Sequence, residues 1–474
     1  MARTRIPLAG GGLETLLSEI GELHLLPLFS TAEACALRLI CREFLAAVSN
    51  QRWEDSETVI MGSTGRWWAC FPRALCANVS MTPPTGLSKE GLLRFKGRAT
   101  SVVDKDFLVF AGLRELHMRG CKGVTDAAFA RLRGIHKLDM SYCDQEGITD
   151  AAFTHLLGIH TLNMSCCTQA GITDAAFGHL RCIHSLNMSG CLSPTDASFV
   201  HLRGIHTLYM SGCYQIGVTD AAFAHLHGIH TLDMSWCNQG GITDVAFAHL
   251  RGIHTLKMNG CDQAGITDAA FAHLRGIHSL AMCRCNQDGI SDAAFAHLRG
   301  IHKLLMNFCD QRAITNAAFA HLRGIHTLSM RYCNQTGITD AAFAHLRGIH
   351  TLDLCGCNQE GITDAAFAHL HGIHTLDLSE CDQGGITEAA FAHLRGIHTL
   401  KMNLCSDSLT VAIFDNLSGL SVLFASDDDL CIKAKRMGAV IVYRDGEDGE
   451  LWDPDEEGWG SEAAEEDSEG EEAG

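Results

Sequence analysis

A unit of 24 residues recurs along most of this 474-residue chain and limits what it can fold into. The unit reads I-H-T-L-D-M-S-x-C-N-Q-x-G-I-T-D-A-A-F-A-H-L-R-G. Thirteen copies begin between Leu113 and Ile397, two of them two residues shorter than the rest. One copy is too small to bury its own apolar side chains, whereas stacked copies share a continuous core. The sequence therefore predicts a solenoid, with atypical terminal units around Phe107 and after Leu420.

Each unit predicts one strand followed by one short helix. In the second copy, Leu138 and Met140 alternate with polar residues, which is the period of a half-buried strand. Thr149 is a good helix N-cap, and Asp150 then lies at the positive end of the helix. Gly158 is placed to end that helix. Stacking such units predicts a parallel sheet on a concave face, with the helices outside.

The pattern L-x-x-L-x-L/M-x-x-C-x-x-x-x-I-T-D resembles the cysteine-containing leucine-rich repeats, from about Val102 to Ser426. The resemblance implies an α/β fold, a horseshoe-shaped leucine-rich-repeat solenoid. Units of that family are slightly longer and often carry a second cysteine after the helix. Here glycine stands at that place in nearly every unit, with Cys182 a nearby exception. The resemblance is specific for the fold and weak for the function, since one fold serves many functions.

The chain has 22 cysteines, and thirteen of them occupy one position of the unit. Such positions stack in a column, with side chains pointing into the core in parallel, an unfavourable geometry for a disulfide. We expect these residues to be reduced, buried and apolar in character. Reduced cysteines favour the cytoplasm or the nucleus as the location of the protein.

Histidine forms two further columns, twelve residues from His136 to His398 and eleven from His155 to His393. Metal binding is one interpretation, because histidine is a common ligand. Duplication of one structural residue explains a column better, and no unit brings its buried cysteine near its helix histidine. We expect no metal and no cofactor. Charging closely spaced histidines is repulsive, so the sequence also predicts a protein sensitive to acid.

The formal net charge of −19 is concentrated at the carboxyl terminus. Residues 445–474 hold 15 acidic residues and no Lys or Arg, so the rest of the chain carries the difference, −4. A mildly acidic body lacks the broad basic surface of a nucleic-acid-binding protein. No apolar run approaches the length of a membrane span. We therefore expect neither a nucleic acid nor a membrane as partner, and a solvated tail at 445–474.

The outward-facing strand positions vary between units, and one stretch differs from the plain polar lining of the others. Aromatic and arginine side chains are enriched where proteins bind one another. Scattered apolar residues on a surface are also normal, so an incidental origin stays open. The candidate partner-binding residues of this concave face are Trp236, Lys257, Arg284, Leu305, Phe308, Arg331 and Tyr332.

A helical segment precedes the repeats and resembles an F-box. The matching residues are Leu17, Glu19, Ile20, Glu33, Ala34, Ile40, Cys41, Arg42, Glu43, Phe44 and Trp53. Ser18 departs from the proline usual in that family. The resemblance implies that the segment docks the adaptor subunit of an SCF-type ubiquitin ligase. The residues that would contact the adaptor are Leu17, Ile20, Leu37, Ile40 and Phe44.

A helical module before cysteine-type repeats is the layout of F-box/leucine-rich-repeat proteins. That resemblance implies a substrate receptor of the ligase, monomeric outside the complex, with an unknown target protein on its concave face. The alternative is a scaffold or inhibitor whose amino-terminal segment only caps the solenoid. No nucleophile elbow, phosphate loop or metal-ligand spacing indicates an enzyme. The expected segments are a flexible terminus at 1–12, the F-box-like module at 13–54, a linker at 55–91, repeats at 92–426, a cap at 427–444 and a disordered acidic tail at 445–474.

Overall fold

The chain folds as a stack of strands in one sheet, in a computed structural model that describes residues 30–31, 34, 48–55, 59–60, 64–80, 102–214, 217–405, 409–425 and 428–442. Within these described residues, sixteen strands follow one another in chain order, and each pairs in parallel with the next. The predicted solenoid, with its parallel sheet and short helices, is confirmed. The five residues predicted to contact an adaptor, at positions 17, 20, 37, 40 and 44, lie outside the described residues.

Each strand is only three residues long. The strands, β1 to β16 in chain order, are Cys76–Asn78, Glu115–His117, Lys137–Asp139, Thr161–Asn163, Ser185–Asn187, Thr207–Tyr209, Thr231–Asp233, Thr255–Lys257, Ser279–Ala281, Lys303–Leu305, Thr327–Ser329, Thr351–Asp353, Thr375–Asp377, Thr399–Lys401, Val422–Phe424 and Val440–Val442. The register keeps equivalent residues side by side, so that Leu304 pairs with Leu280 and Leu328. Every position of the unit therefore forms a straight column along the sheet.

The helices between the strands are mostly a single turn. The α-helices are Thr64–Cys70, Asp126–Phe129, Asp150–Phe153, Asp174–Phe177, Asp196–Phe199, Asp220–Phe223, Asp244–Phe247, Asp268–Phe271, Asp292–Phe295, Asn316–Phe319, Asp340–Phe343, Asp364–Phe367 and Asp428–Arg436, and the 3-10 helices are Asp104–Val109, Glu388–His393 and Val411–Asp415. The single-turn helices end earlier than predicted. Gly158, at φ 85°, lies in the turn before the next strand and does not cap the helix.

The core lies between the sheet and the helices. Columns of Leu, Met, Cys and Ile from the strand half meet columns of Ala, Phe and Leu from the helix half, and nearly all are buried. Phe271 is fully buried, with Phe247 and Phe295 at the same position of the neighbouring units. Burial of such a side chain contributes about 1.5–3 kcal/mol. This repeated layer is the main source of stability.

The helix N-caps join neighbouring units to one another. Thr149 caps its own helix by accepting a hydrogen bond from the Ala151 N–H at 3.3 Å. The backbone N–H and the hydroxyl of Thr149 donate to the Asp126 carboxylate of the preceding unit at 2.8 and 2.7 Å. The Asp at the helix start therefore has a second role beside the predicted interaction with the helix dipole: it also forms hydrogen bonds to the next unit.

One unit departs from this pattern and predicts a stabilising substitution. Asn316 replaces the usual Asp, and its amide donates to the Thr339 hydroxyl at 2.9 Å. Thr339 then makes no capping bond to its own helix. We expect Asn316→Asp to raise the free energy of unfolding by about 0.5–1 kcal/mol, since it frees the hydroxyl to cap and adds a negative charge at a helix start. Urea denaturation of both proteins measures this, and an unchanged or lower midpoint would contradict the capping account.

Twelve of the thirteen column cysteines are buried, as expected, and Cys405 is half-buried, but they are not simply apolar. The Cys143 thiol donates to the Met118 carbonyl at 3.2 Å, and the same bond recurs along the column. A buried glutamine two residues later adds a second bond between units: the Gln169 amide donates to the Cys143 carbonyl at 2.9 Å. The Met118 carbonyl also accepts a hydrogen bond from the Cys121 N–H, so the thiol adds a second bond to it. The glutamine amide satisfies a turn carbonyl of the preceding unit.

The burial of the column predicts which thiols react. Burial raises the pKa of Cys143 and Cys213 to about 12, so these thiols stay protonated and unreactive at neutral pH. Cys182, outside the column, is exposed. We expect a maleimide to modify Cys182 within minutes and to leave the column cysteines unmodified until the protein is unfolded. Peptide mass spectrometry of the native protein tests this, and early labelling of Cys143 or Cys213 would contradict it.

Both ends of the sheet carry additional packing. Trp53 is buried against Phe71, with ring centroids 5.5 Å apart. The Trp53 carbonyl also accepts a hydrogen bond from the Leu75 N–H, immediately before β1, at 2.7 Å. At the other end, the helix Asp428–Arg436 precedes β16, which pairs with β15.

Candidate functional site

The turn that follows each strand from β2 to β14 holds one residue in the left-handed backbone conformation. Glycine fills this position in several units, among them Gly212 at φ 65° and Gly260 at φ 61°. Other units hold large side chains there instead, including Trp236 at φ 59°, Phe308 at φ 56° and Tyr332 at φ 50°. This conformation costs a non-glycine residue about 1–2 kcal/mol. Backbone strain that is kept in a stable scaffold often marks a functional position.

Five of these strained residues form a continuous stack, which we call the rim ladder: Trp236, Arg284, Phe308, Tyr332 and Glu380. The Arg284 guanidinium lies 4.8 Å from the centre of the Phe308 ring and 6.0 Å from that of Trp236. The Phe308 and Tyr332 rings stack with centroids 4.7 Å apart and planes 15° apart. The Tyr332 hydroxyl donates to the Glu380 carboxylate, and this bond raises the pKa of Tyr332.

Two glycines give the rim ladder its room. A Cβ on Gly260 would overlap the Trp236 ring, and a Cβ on Gly356 would overlap the Tyr332 ring. Each large ring therefore lies over the glycine of the following unit. Trp236 and Phe308 still expose 39% and 37% of their surface, which leaves part of each ring available to a partner. Glycines and rings together build a ridge that is both pre-ordered and accessible.

The structure brings together four of the seven residues predicted to bind a partner. Trp236, Arg284, Phe308 and Tyr332 belong to the rim ladder, and Glu380 is a member that the sequence reasoning missed. Its signal was the matching position in the unit, two units after Tyr332. The predicted residues Lys257 and Leu305 end strands β8 and β10 and lie on the sheet face, beside the ladder and not within it.

The seventh predicted residue, Arg331, has an internal role. Its Nε lies 3.7 Å from the Asp353 carboxylate, and its terminal nitrogen donates to the Cys355 sulfur at 3.3 Å. Its side chain is only 14% exposed. Such a side chain has little surface left for a partner, so we assign Arg331 to the support of the sheet face.

Arg331 belongs to an acidic cluster that the sequence reasoning missed. Asp353 and Asp377 are partners in the register of β12 and β13, and both are buried. Lys401 lies 3.9 Å from the Asp377 carboxylate at the other side of the pair. Burial, followed by repulsion from Asp377, raises the pKa of Asp353 to about 6. Two cations flank two carboxylates, so most of the charge is compensated within the sheet.

A second charged group lies at the amino-terminal end of the sheet. Glu115 contacts His117 at 2.6 Å and Lys137 at 2.9 Å. The His117 bond is the main cause that lowers the pKa of Glu115 to about 2. Burial disfavours a charged His117, but its bonds to Asp139 and Glu115 outweigh that and raise its pKa to about 9. These charges compensate one another and stabilise the end of the sheet.

The first histidine column forms an unbroken stack of imidazoles along the start of the strands. Neighbouring rings from His136 to His398 lie 4.4–4.6 Å apart, with planes 11–23° apart. Partial burial, and then repulsion from the neighbouring rings, lowers the pKa of His160 and His254. The same causes act on His206 and His350. The stack is therefore most stable when its imidazoles are neutral.

The second histidine column accepts hydrogen bonds from arginines. The Arg203 guanidinium donates to His225 Nδ1 of the next unit at 3.2 Å, and equivalent bonds of 3.3–3.4 Å recur along the solenoid. Burial, and then the arginine charge, lowers the pKa of His225, His273 and His345. Protonation would replace each of these acceptors with a second cation.

Both columns predict loss of stability in acid. A histidine whose pKa is lowered by folding binds protons more readily when unfolded, so stability falls as the pH drops through its unfolded value near 6.5. The lowered pKa values of seven histidines reduce stability in acid, whereas the raised pKa values of His117 and Asp353 increase it. We expect the melting temperature to be lower at pH 5.5 than at pH 7.5 by at least about 2 °C. Calorimetry at both pH values is the test, and an equal or higher value at pH 5.5 would contradict it.

The described residues contain neither a metal-binding cluster nor a membrane-spanning helix. Within the described ranges, no group of three or more His, Cys, Asp or Glu side chains is arranged to hold a metal ion. No helix in the same part of the chain is both long enough and apolar enough to span a bilayer. The rim ladder is thus the strongest candidate site that the described residues offer.

Comparison with known proteins places the fold but not the function. No protein-family model and no curated protein matches the chain. A leucine-rich-repeat protein of Leptospira interrogans is similar at 13% identity and a TM-score of 0.54, over 72% of this chain and 93% of that one. An internalin from Listeria monocytogenes is similar at 17% identity and a TM-score of 0.52, over 69% and 90%.

A third similar structure is the glycosylated Toll–Spätzle complex of Drosophila. The identity is 15% and the TM-score 0.53, over 73% of this chain and 54% of that one. The chain thus spans about half the length of the Toll structure that it matches. At these identities the likenesses concern the fold, and they show that this chain has the leucine-rich-repeat fold.

Proposed function

We propose that this protein is a non-catalytic scaffold that binds a partner protein through the rim ladder. The observation that carries the proposal is the strain of the ladder. Trp236, Arg284, Phe308 and Tyr332 each hold a conformation that glycine adopts freely in other units. Glycine would occupy this position at a lower cost in backbone strain. The stacked aromatic and arginine side chains found there are therefore best explained by a partner that they contact.

The chemistry of the ladder suits a protein surface. Aromatic and arginine residues supply most of the binding energy at protein interfaces, because they offer large rigid surfaces with polar ends. Here stacking fixes their conformations beforehand, which lowers the entropy lost on binding. Glu380 at one end adds a negative charge beside the exposed rings. We infer a partner that places apolar side chains on the rings and a basic group near Glu380.

Site-specific photo-crosslinking in cells tests the proposal. A benzophenone amino acid replaces Phe308, which is 37% exposed in the ladder, and in a matched control it replaces Val245, which is 58% exposed on a helix. We expect the probe at 308 to give a discrete crosslinked protein and the probe at 245 to give none. Equal crosslinking at both positions, or none at 308, would exclude the ladder as the binding surface.

A second candidate function is that of a substrate receptor in an SCF-type ubiquitin ligase. It rests on the F-box resemblance and on one contact at the end of that segment. Trp53 is buried against Phe71 and bonded to Leu75 next to β1. A receptor needs such a firm connection, because it acts by holding its target at a set distance from the rest of the ligase. For both functions we propose the cytoplasm or nucleus, where the column thiols stay reduced.

Binding of the purified SCF adaptor to the full chain decides the second candidate. We expect the native chain to bind, a variant with Ile40→Asp and Phe44→Asp to lose binding, and a variant with Phe308→Gly to keep it. Circular dichroism checks that all three are folded. A folded native chain that does not bind the adaptor would exclude the receptor function and leave the scaffold.

A further inference from the structure

The repeat separates its charges between the two edges of the solenoid. One edge, where helices lead into strands, holds nine arginines of the column from Arg133 to Arg395 and both histidine columns; we call it the basic edge. The eleven seven-residue segments that begin with the histidines from His155 to His393 contain no Asp or Glu. The opposite edge carries exposed acids in the turns after the strands: Asp144, Glu146, Asp262, Asp288, Asp310, Glu360 and Asp382. The chain outside residues 445–474 is therefore nearly neutral as a whole, although the two edges of the solenoid carry opposite charges.

Within the part of the chain that the structure describes, no arginine of the basic edge forms an ion pair with a carboxylate. Arg275, Arg299 and Arg323 are exposed, and each donates to a histidine of the next unit at 3.3–3.4 Å. The ion pairs seen within the described residues lie elsewhere: on the sheet face, in the turns after β2 and β3, and at the carboxyl-terminal helix. A neutral imidazole accepts a hydrogen bond but offers no compensating charge. The edge is therefore a row of arginine cations, most of them one unit apart, whose charge could be neutralised by an anionic chain.

We propose that the acidic carboxyl-terminal segment, residues 445–474, docks along the basic edge of its own solenoid. Charge complementarity is the first argument: the segment has 15 acidic residues and no Lys or Arg, against nine arginines on the edge. A tethered segment also reaches an effective concentration near the millimolar range, which makes weak charge contacts sufficient. The acidic edge repels the segment, so the two edges together define where it lies.

The length of the segment fits this path. The last strand ends at Val442, and parallel strands end at the acidic edge, so the chain must first cross to the other side. The twelve stacked histidines span about 50 Å at the usual strand spacing of ~4.8 Å. Thirty extended residues reach about 100 Å. About a third of the segment can make the crossing, and the rest is long enough to follow most of the edge.

The two tryptophans of the segment, Trp452 and Trp459, allow a direct test in the full chain. The protein is labelled with 5-fluorotryptophan, and Trp452→Phe and Trp459→Phe assign the two fluorine resonances. We expect both resonances to be broad at 20 mM salt and at least about threefold narrower at 0.5 M salt, where charges are screened within a few ångströms. The Trp236 resonance reports on the solenoid and should not change.

Two variants with the same change in net charge complete the test. The edge variant carries Arg275→Gln, Arg299→Gln, Arg323→Gln and Arg347→Gln, and we expect narrow tail resonances at low salt. The control adds four charges to the acidic edge with Asn238→Asp, Asn286→Asp, Asn334→Asp and Asn358→Asp, at a position where other units carry Asp. Its tail resonances should stay broad.

Three outcomes would overturn the proposal. Tail resonances that are narrow at low salt in the native chain mean that the segment is free. Equal broadening in the edge variant and the native chain places the segment elsewhere. Broadening that disappears on dilution assigns the contact to the edge of a second copy. None of these outcomes bears on the rim ladder, because the ladder lies in the turns after the strands and the basic edge lies before them.

Discussion

Replacing Phe271 with Ala lowers the free energy of unfolding by about 3–5 kcal/mol, the usual cost of removing a fully buried phenyl ring from a core. Phe271 is 0% exposed and lies in the column between Phe247 and Phe295. The short helices cannot shift to fill the cavity, because each is tied to the next unit by bonds such as those between Thr267 and Asp244. Urea denaturation followed by circular dichroism measures the loss.

A conservative change nearby is the control for this prediction. Val245 is 58% exposed on the helix of the preceding unit, where other units have Ala. We expect Val245→Ala to change the free energy of unfolding by no more than about 0.5 kcal/mol. A cost below about 1 kcal/mol for Phe271→Ala would show that the phenylalanine column does not carry the stability of the stack.

The core of this fold is predictable from the sequence because it depends on periodicity alone. Leu138 and Phe153 are both fully buried, at positions that the repeat marks as apolar. The bonds between units are harder to predict, because they join residues 20 to 30 positions apart. The bond from Gln169 to the Cys143 carbonyl is an example, since nothing local to Gln169 indicates its partner.

The candidate site was predictable only in part, for a similar reason. Side-chain type singled out Trp236 and Phe308, but the left-handed backbone beneath them depends on the turn. The signal was present in the sequence, because Gly212 and Gly260 occupy the same position in other units. Arg331 was assigned to the site by its type, whereas the ion pair that keeps it at Asp353 depends on the register of the strands.

The largest effect on function is expected from returning the rim ladder to glycine. We expect Trp236→Gly, Arg284→Gly, Phe308→Gly and Tyr332→Gly together to weaken partner binding at least about 100-fold, or about 2.7 kcal/mol, because each hot-spot residue contributes 2 kcal/mol or more. Stability should change little. The strain relieved at each position, about 1–2 kcal/mol, offsets the loss of stacking, about 0.5–1.5 kcal/mol, and the greater freedom of unfolded glycine.

Glycine is the informative substitution for this site. Alanine would keep the strained backbone and remove the stacking, so a loss of binding could follow from a distorted turn. Gly212 and Gly260 hold the same left-handed conformation at this position of their units. The matched control variant carries Val245→Ala and Leu157→Arg. Both residues are exposed outside the sheet, and each is replaced by the residue that most other units have there.

Titration of the partner captured at position 308 tests most directly whether the rim ladder is the binding site. The partner is titrated into three proteins: the native chain, the four-glycine variant and the control with Val245→Ala and Leu157→Arg. Calorimetry provides the affinity and the melting temperature for each. We expect native affinity for the control and a loss of at least about 100-fold for the glycine variant. Melting temperatures of all three should agree within about 4 °C. A glycine variant that is folded and binds the partner with native affinity would contradict the claim that the rim ladder is the binding site.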